Sequence, residues 1–197
     1  YGEGHINDTF RVQVEDNGKT HLYLLQRINT NVFKDPQALM QNIVSVTEYL
    51  QEAIAKEGGD ANRETLTVIK TSDGQNMYTD SEGGVGRAYN FIEGAISFQT
   101  ATSPELLAAS AKAFGRFARQ LNGFSAASLH ETIPHFHDTR KRFDPFVKVL
   151  NEARQNRATN CQTEIDFVLQ RQAACAILMG LLDANELPLR VTHNDAK

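Results

Sequence analysis

The sequence predicts an α+β fold, in which a small antiparallel sheet with one helix is followed by a mostly helical half. In the first half, apolar and polar residues alternate on both sides of an Asn17-Gly18 pair, the strongest short-range signal for a β-hairpin. Between residues 104 and 188 the apolar residues instead recur at helical spacing, and no strand is predicted there. We therefore expect two lobes, formed by residues 1–94 and residues 95–197.

The hairpin and the helix after it define the predicted N-terminal lobe. Phe10, Val12 and Val14 alternate with polar residues, as in a half-buried strand. Pro36 suits the first turn of a helix, and the Gly58-Gly59 pair marks its end. The predicted elements are strands at 9–15 and 21–28, a helix from Asp35 or Pro36 to Lys56, and strands at 65–71, at 76–79 and up to 94.

The predicted C-terminal lobe is helical until its last residues. Ser103 is a suitable N-cap with Pro104 at the first helical position, and this helix should end at Leu121 or Asn122. A short apolar run from Leu189 then predicts a strand. Two further helices are predicted between these elements, at 139–154 and 162–184.

Composition excludes several classes of protein. The chain has 197 residues, of which 41% are hydrophobic and 22% charged, as in ordinary globular domains. Its net charge of −4 gives no excess positive field for nucleic acid or an anionic membrane. Cys161 and Cys175 lack the spacing of a disulfide scaffold or a metal site, and the longest apolar run, 173–182, is about half a membrane span. We expect a cytoplasmic protein with no nucleic-acid or membrane partner.

A cluster of chemically active side chains follows the last predicted strand. His193, Asn194, Asp195 and Lys197 follow it directly, in the order found in the catalytic loop of protein kinases. In that loop the Asp accepts the proton of the attacking hydroxyl group. Taken alone the match is weak, because the same residue types also gather in ordinary polar turns.

Two features of the hairpin are compatible with a phosphate ligand. Gly2 and Gly4 precede it, and glycines let backbone N–H groups approach a ligand closely, although a plain turn is the alternative. Arg27 is a cation on a mostly apolar strand, so it either extends to solvent or pairs with an anion. Both interpretations of Arg27 stay open at this point.

A rival cluster of His130, His135, His137, Asp138 and His193 contains the ligand types of a zinc site. Catalytic zinc sites, however, usually draw their ligands from fixed helix or strand spacings. Most of this cluster lies in a proline-containing linker between helices. A hydrogen-bonded linker packed under the catalytic loop is therefore the favoured interpretation.

The order of the elements matches that of a two-lobed, protein-kinase-like fold: glycine-rich hairpin, cation on the return strand, helix, further strands, joint, helices and His-x-Asp. The details resemble the N-acetylhexosamine 1-kinase branch of the aminoglycoside phosphotransferase family. Because the chain starts without Met and ends within a motif, we expect it to cover the first half or more of such an enzyme. The matching blocks are Tyr1–Phe10, Leu25–Asn29, Phe91–Gly94, Glu131–Thr139 and Val191–Lys197.

The resemblance implies a nucleotide site in the first lobe. Gly2, Gly4 and Asn7 would lie in the loop over the phosphates of ATP, and Arg27 would contact a phosphate. Asn42 lies near the position where such enzymes carry the helix glutamate that pairs with this cation, so either Asn42 or another residue would partner Arg27.

The same resemblance assigns the hinge and the catalytic groups. Phe91, Ile92 and Glu93 would form a hinge whose backbone meets the adenine. Asp195 would be the catalytic base, and Lys197 would neutralise charge on the transferred phosphoryl group. The protein ligands of Mg²⁺ are expected after Lys197.

These assignments imply an enzyme that transfers the γ-phosphoryl group of ATP to a sugar hydroxyl, with the anomeric hydroxyl of an N-acetylhexosamine as the expected acceptor. One alternative is a phosphotransferase for another hydroxylated small molecule, such as an aminoglycoside or an amino alcohol. Another is a noncatalytic regulator that binds a nucleotide or a sugar.

Overall fold

A five-stranded antiparallel sheet organises the first part of the chain. The computed structural model describes residues 6–98, 100–152 and 157–194. The strands follow the order β1-β2-β5-β3, and β4 also pairs with β5, so the predicted α+β class with an antiparallel sheet is confirmed. The strands are β1 (Asp8–Asp16), β2 (Lys19–Arg27), β3 (Val68–Ile69), β4 (Tyr78–Thr79) and β5 (Val85–Asn90).

The β1–β2 hairpin turns at the predicted pair. Asn17 and Gly18 have φ angles of 49° and 74°, the left-handed conformation that two-residue hairpin turns require. Asp16 consequently lies opposite Lys19, and the register continues without interruption to Asp8 opposite Arg27. The turn therefore sets the register from which the pairing of the two strands continues.

Helix α1 spans Pro36–Lys56, close to the predicted bounds. Asp35 caps it, because its Oδ1 accepts a hydrogen bond from the Ala38 N–H at 2.9 Å. At the other end Gly58 has a φ of 75°, which glycine adopts without steric cost. The buried side chains of α1 are Met40, Thr47, Leu50 and Ile54.

The segment between α1 and β5 contains less strand than predicted. A short helix, α2 (Ala61–Glu64), is capped by Asp60, and the strand predicted at 65–71 is limited to the two residues of β3. The strand predicted at 76–79 is limited to β4, and β5 ends at Asn90 rather than at 94. After β5 the Phe91 N–H donates to the Leu22 carbonyl at 3.1 Å, and the chain then leaves the sheet.

Helix α3 (Pro104–Gln120) forms the second wall of the main core. Ser103 caps it as predicted, because its Oγ accepts a hydrogen bond from the Leu106 N–H at 3.2 Å. The Glu57 carboxylate at the end of α1 accepts hydrogen bonds from Arg119 at 2.7 Å and Gln120 at 2.9 Å. The buried cluster of Leu50, Ile54 and Leu121 is surrounded by Val46, Tyr49, Ala61, Phe117, Phe124 and Val191.

The chain divides into two compact units. One comprises the described residues up to Thr132 together with those from Arg190 onward, and the other is Ile133–Leu189. This division groups α3 with the sheet and does not coincide with the predicted lobes at 1–94 and 95–197. The kinase-like two-lobed arrangement stays a prediction.

The second unit contains α4 (Thr139–Asn151), α5 (Gln162–Leu169), α6 (Gln172–Cys175) and α7 (Ile177–Asp183). Arg140 Nη1 lies 2.7 Å from Asp183 Oδ2, and the Thr139 hydroxyl donates to the Cys175 carbonyl at 2.6 Å. These contacts fasten α4 to the last two helices.

The single helix predicted at 162–184 is broken, and the prediction of one continuous helix is wrong. Arg171 folds back so that its Nη1 donates to the Phe167 carbonyl at 2.9 Å, which satisfies the end of α5. The axes of 158–169 and 172–183 differ by 66°. In the described part of the chain no single helix is long and apolar enough to cross a membrane, and only this bent pair, taken together, meets the length and composition test.

The strand predicted from Leu189 is also absent: no strand is assigned to residues 188–193, all of which the structure describes. Val191 instead packs against the buried cluster between α1 and α3. Val191 therefore contributes to the core without joining the sheet, whereas Leu189 is exposed.

Candidate functional site

Arg27 ends strand β2 and is exposed to solvent. It lies opposite Asp8 on one side and Gly86 on the other. Across Gly86 the ring of Tyr78 is so close that a Cβ atom would overlap it. No carboxylate of the described residues forms an ion pair with Arg27. Its guanidinium is therefore available to an anion at this edge of the sheet.

The chain beyond Arg27 folds into a polar concavity of about 340 Å³. Asn7 helps to shape it, because the Asn7 Oδ1 accepts a hydrogen bond from the Asn29 N–H at 3.0 Å. Asn29 Oδ1 in turn accepts from the Asn31 N–H at 3.0 Å. Guanidinium, amide and hydroxyl groups are the donors that bind phosphate. The lining residues are Ile6, Asp8, Arg27, Ile28, Asn29, Thr30 and Asn31.

A second cation on the sheet, Arg87, is buried, and the sequence analysis did not identify it. Only 9% of Arg87 is exposed. Its Nε donates to Gln26 Oε1 at 3.1 Å, its Nη1 lies 4.0 Å from Met40 Sδ, and its Cζ lies 5.5 Å from the ring centre of Tyr89. Burial lowers the pKa of Arg87 and raises the pKa of Tyr89. The signal that singled out Arg27, a cation on an apolar strand, applied equally to Arg87.

The predicted hinge residues follow β5, and some of their backbone groups form hydrogen bonds within the protein. The Phe91 N–H donates to Leu22, and the Glu93 carbonyl accepts a hydrogen bond from Arg63 Nη1 at 2.9 Å. Among the described residues, no hydrogen bond uses the peptide N–H or C=O of Ile92. The side chain of Ile92 is half-buried and lines a largely apolar concavity together with Phe117.

Gly2, Gly4, Asp195 and Lys197 lie outside the described residues. The segment that leads to Asp195 is nevertheless well anchored. The ring of His193 packs edge-to-face against Phe114, with ring centres 5.3 Å apart, and against Phe117 at 6.1 Å.

Two of the predicted site regions meet at one residue, Phe117 of α3, which contacts His193 and shares a concavity with Ile92. Phe117 thus contacts the segment before Asp195 and faces the same concavity as the predicted hinge. No hydrogen bond or ion pair among the described residues joins Arg27 to Ile92 or His193.

Asn42 does not partner Arg27. Its Nδ2 donates to the His130 carbonyl at 2.8 Å, and its Oδ1 accepts from the His130 N–H at 2.8 Å. Both polar atoms of the Asn42 side chain are thus hydrogen-bonded to the backbone of His130. Asn42 therefore connects α1 to the loop that follows α3.

The histidine linker is organised by hydrogen bonds. Asp138 is 6% exposed and caps α4, because its Oδ1 accepts from the Lys141 N–H at 3.2 Å. Burial acts to raise the pKa of Asp138, but the Lys141 N–H and the charge of Arg140 outweigh it and hold this pKa below its ordinary value. His135 lies against the Lys141 ammonium, with Nε2 and Nζ 3.0 Å apart. In residues 6–98, 100–152 and 157–194 no group of three or more His, Cys, Asp or Glu side chains could hold a metal ion.

The cap at Asp138 can be tested by substitution. Asp138→Ala is expected to lower Tm. Asp138→Asn should keep most of the stability that the cap contributes, because Asn caps helices as well as Asp does. Since the folded-state pKa is lowered, the stabilising effect of the charge is present above the unfolded-state pKa and is lost as pH falls below about 4. Thermal melts from pH 3 to pH 7 should therefore show the difference between wild type and Asp138→Asn narrowing at the acid end. A rise in wild-type Tm on adding Zn²⁺, absent in Asp138→Asn, would instead support a metal site.

No protein-family model matches the sequence.

Proposed function

We propose that this protein is a cytoplasmic, ATP-dependent sugar kinase of protein-kinase-like fold, which transfers the γ-phosphoryl group to the anomeric hydroxyl of an N-acetylhexosamine. The observation that carries the proposal is Arg27, an exposed cation without a carboxylate partner among the described residues, at the mouth of a polar concavity. The family resemblance assigns a phosphate contact to this residue.

Arg27 and the concavity have the chemistry that a nucleotide phosphate requires. A guanidinium presents a planar set of donors that matches phosphate oxygens, and hydrogen bonds between charged partners are roughly twice as strong as neutral ones. The Asn29 and Asn31 amides and the Thr30 hydroxyl add neutral donors nearby. Because the net charge of the chain is −4, attraction of a polyanion has to come from such local groups.

The adenine is assigned to the hinge. The Phe91 N–H and the Glu93 carbonyl already have partners within the protein. In this proposal the peptide groups of Ile92 therefore meet the adenine edge, and its half-buried side chain contributes apolar contact to the ring.

Asp195 performs the acid–base step. As the acceptor oxygen forms its bond to the γ-phosphorus and the bond to the ADP oxygen breaks, Asp195 accepts the hydroxyl proton. Lys197 offsets the negative charge on the transferred group. His193 acts indirectly, because its packing against Phe114 and Phe117 holds the backbone that leads to Asp195.

Mg²⁺ would neutralise charge on the phosphates in such an enzyme. Among the described residues no group of three or more His, Cys, Asp or Glu side chains could hold a metal ion.

Nucleotide binding is the decisive test. ATP with Mg²⁺ should raise the Tm of the complete gene product, because a ligand that binds only the native state stabilises it by about 2.7 kcal/mol at 100 times its Kd. Arg27→Gln should raise the Kd for ATP by about ten- to a hundredfold, the loss expected for a hydrogen bond to a charged group. Differential scanning fluorimetry and isothermal titration calorimetry measure the two effects.

Lys19→Gln is the matched control, because it removes one exposed positive charge from the opposite end of the same strand. Its Kd for ATP should stay within twofold of wild type if local contact, rather than total charge, attracts the nucleotide. The absence of any shift in wild-type Tm at millimolar ATP would contradict the kinase proposal. Binding of ATP without turnover of any acceptor would favour the noncatalytic regulator.

A further inference from the structure

A row of hydrogen-bonded polar side chains crosses three strands of the sheet, and we name it the polar rung. Thr9 on β1, Gln26 on β2 and Arg87 on β5 lie directly opposite one another in register. Arg87 Nε donates to Gln26 Oε1 at 3.1 Å, and Gln26 Nε2 donates to Thr9 Oγ1 at 3.1 Å. The next row on one side consists of the apolar residues Phe10, Leu25 and Ala88.

The chemistry of Arg87 fixes the direction of every bond in the polar rung. A guanidinium has donors and no acceptor, so Gln26 must turn its carbonyl oxygen toward β5. Its NH₂ group then faces β1, where it donates to Thr9. The Thr9 Oγ1 also lies 3.5 Å from the Asn7 carbonyl oxygen, the outer limit of a hydrogen bond. The buried guanidinium of Arg87 thus orients the Gln26 amide, and the Gln26 amide bonds to Thr9 near the start of β1.

Stability alone does not account for this arrangement. Arg87 is 9% exposed, and no carboxylate of the described residues forms an ion pair with it. Burying a charge with neutral partners is costly, and apolar side chains of similar size often fill such positions at lower cost. What a polar rung supplies is register: a slip of β5 by one residue would place Arg87 opposite Leu25 or Arg27 and break its bond to Gln26.

The polar rung lies immediately beside the proposed phosphate site. The next row on its other side contains Asp8, Arg27 and Gly86. At one end of the polar rung, Thr9 Oγ1 lies near the Asn7 carbonyl. The Asn7 side chain accepts a hydrogen bond from the Asn29 N–H. Any shift of β1 against β2 would therefore move both walls of the concavity.

We propose that Thr9, Gln26 and Arg87 are positioning residues for the nucleotide phosphates, which hold the Asn7 end of β1 at a fixed distance from Arg27. This inference rests on the proposed function. It concerns residues that do not themselves contact ATP, and it makes affinity for ATP depend on a hydroxyl group one row away from the site.

Thr9→Val tests the inference, because valine has nearly the shape of threonine and lacks the hydroxyl. In the complete gene product the Kd for ATP should rise about three- to tenfold, the usual effect of losing one neutral hydrogen bond. The KM for the acceptor should be unchanged, and Thr9→Ser should bind ATP like wild type. Calorimetry gives the Kd, steady-state kinetics gives the KM, and thermal melts without ligand report any effect on stability.

Thr20→Val is the matched control. Thr20 lies at the other end of the same hairpin, where its hydroxyl donates to Glu15 Oε1 at 2.8 Å. The substitution therefore removes one side-chain hydrogen bond from the hairpin without touching the polar rung. Its Kd for ATP should equal that of wild type.

Gln26→Leu provides an independent measurement. If the polar rung acts as one chain of bonds, the double variant Thr9→Val/Gln26→Leu should bind ATP no more weakly than Gln26→Leu alone. Additive losses, or an unchanged Kd in Thr9→Val, overturn the inference. So does a Thr9→Val variant whose Tm falls while its Kd stays constant, since the role is then structural. These outcomes require wild type to bind ATP; failure of wild type itself would refute the proposed function instead.

Discussion

Asp195→Asn is expected to reduce kcat of the complete gene product by about 10²–10⁴-fold, the usual contribution of a general base. Asparagine keeps the size of the side chain and can still hydrogen-bond to the acceptor hydroxyl, but it cannot accept its proton. The Kd for ATP should change little, because the nucleotide contacts are assigned to other residues. Steady-state kinetics at saturating ATP and acceptor, with calorimetry for the nucleotide, separate the two effects.

Asp16→Asn is a suitable control, because it changes an exposed carboxylate at the hairpin turn to the same amide. It should turn over like wild type. Near wild-type kcat in Asp195→Asn would remove Asp195 from the mechanism. It would also support the interpretation of the His-Asn-Asp cluster as a polar turn.

The second large effect concerns the acceptor. Offered ATP, the complete gene product should phosphorylate N-acetylglucosamine or N-acetylgalactosamine in preference to glucose, galactose or kanamycin, and the product should be the 1-phosphate. A site built to hydrogen-bond an acetamido group leaves buried polar groups unpaired when that group is missing, and such a mismatch costs orders of magnitude in kcat/KM. Initial rates with each acceptor at limiting concentration measure the preference.

Phosphorus NMR of the product identifies the hydroxyl that reacts. A phosphate on any carbon other than the anomeric one would contradict the assignment to an N-acetylhexosamine 1-kinase. Turnover confined to kanamycin would point to an aminoglycoside phosphotransferase. Either result would leave the roles of Arg27 and Asp195 in place.

Elements with strong local signals were predicted well. The Asn17-Gly18 turn and the Ser103 cap of α3 each depend on a few neighbouring residues, and both are found where predicted. Local chemistry is sufficient in these cases because the turn or cap is formed entirely within the segment itself.

The errors occur where the apolar pattern does not reveal the contacts that a segment makes. Val191 packs between α1 and α3, and that destination cannot be read from an apolar run that looks like a strand. At the break after α5 the Arg171 side chain bonds to the Phe167 carbonyl, a side-chain contact that helical periodicity does not encode. In both cases a local pattern was overridden by tertiary or side-chain contacts.

The candidate site shows the same limit. The sequence left two alternatives for Arg27, and the strand register together with its exposure shows that it extends to solvent beside a concavity. Arg87 is also a cation on a strand, and only its burial in the structure distinguishes it from Arg27. Gly2, Gly4, Asp195 and Lys197 lie outside the described residues, so their assignments stay predictions.

The hydrogen bonds between Asn42 and the His130 backbone attach helix α1 without the use of charge. In protein kinases a lysine–glutamate ion pair holds the corresponding helix, and making or breaking that pair is a means of regulation. Here the helix is attached through two hydrogen bonds between a neutral amide and a peptide group. Neither partner titrates near neutral pH, and ionic screening acts on charges rather than on such pairs. The attachment of α1 through Asn42 is thus insensitive to acidity and salt, whereas its attachment through the Glu57–Arg119 ion pair responds to both.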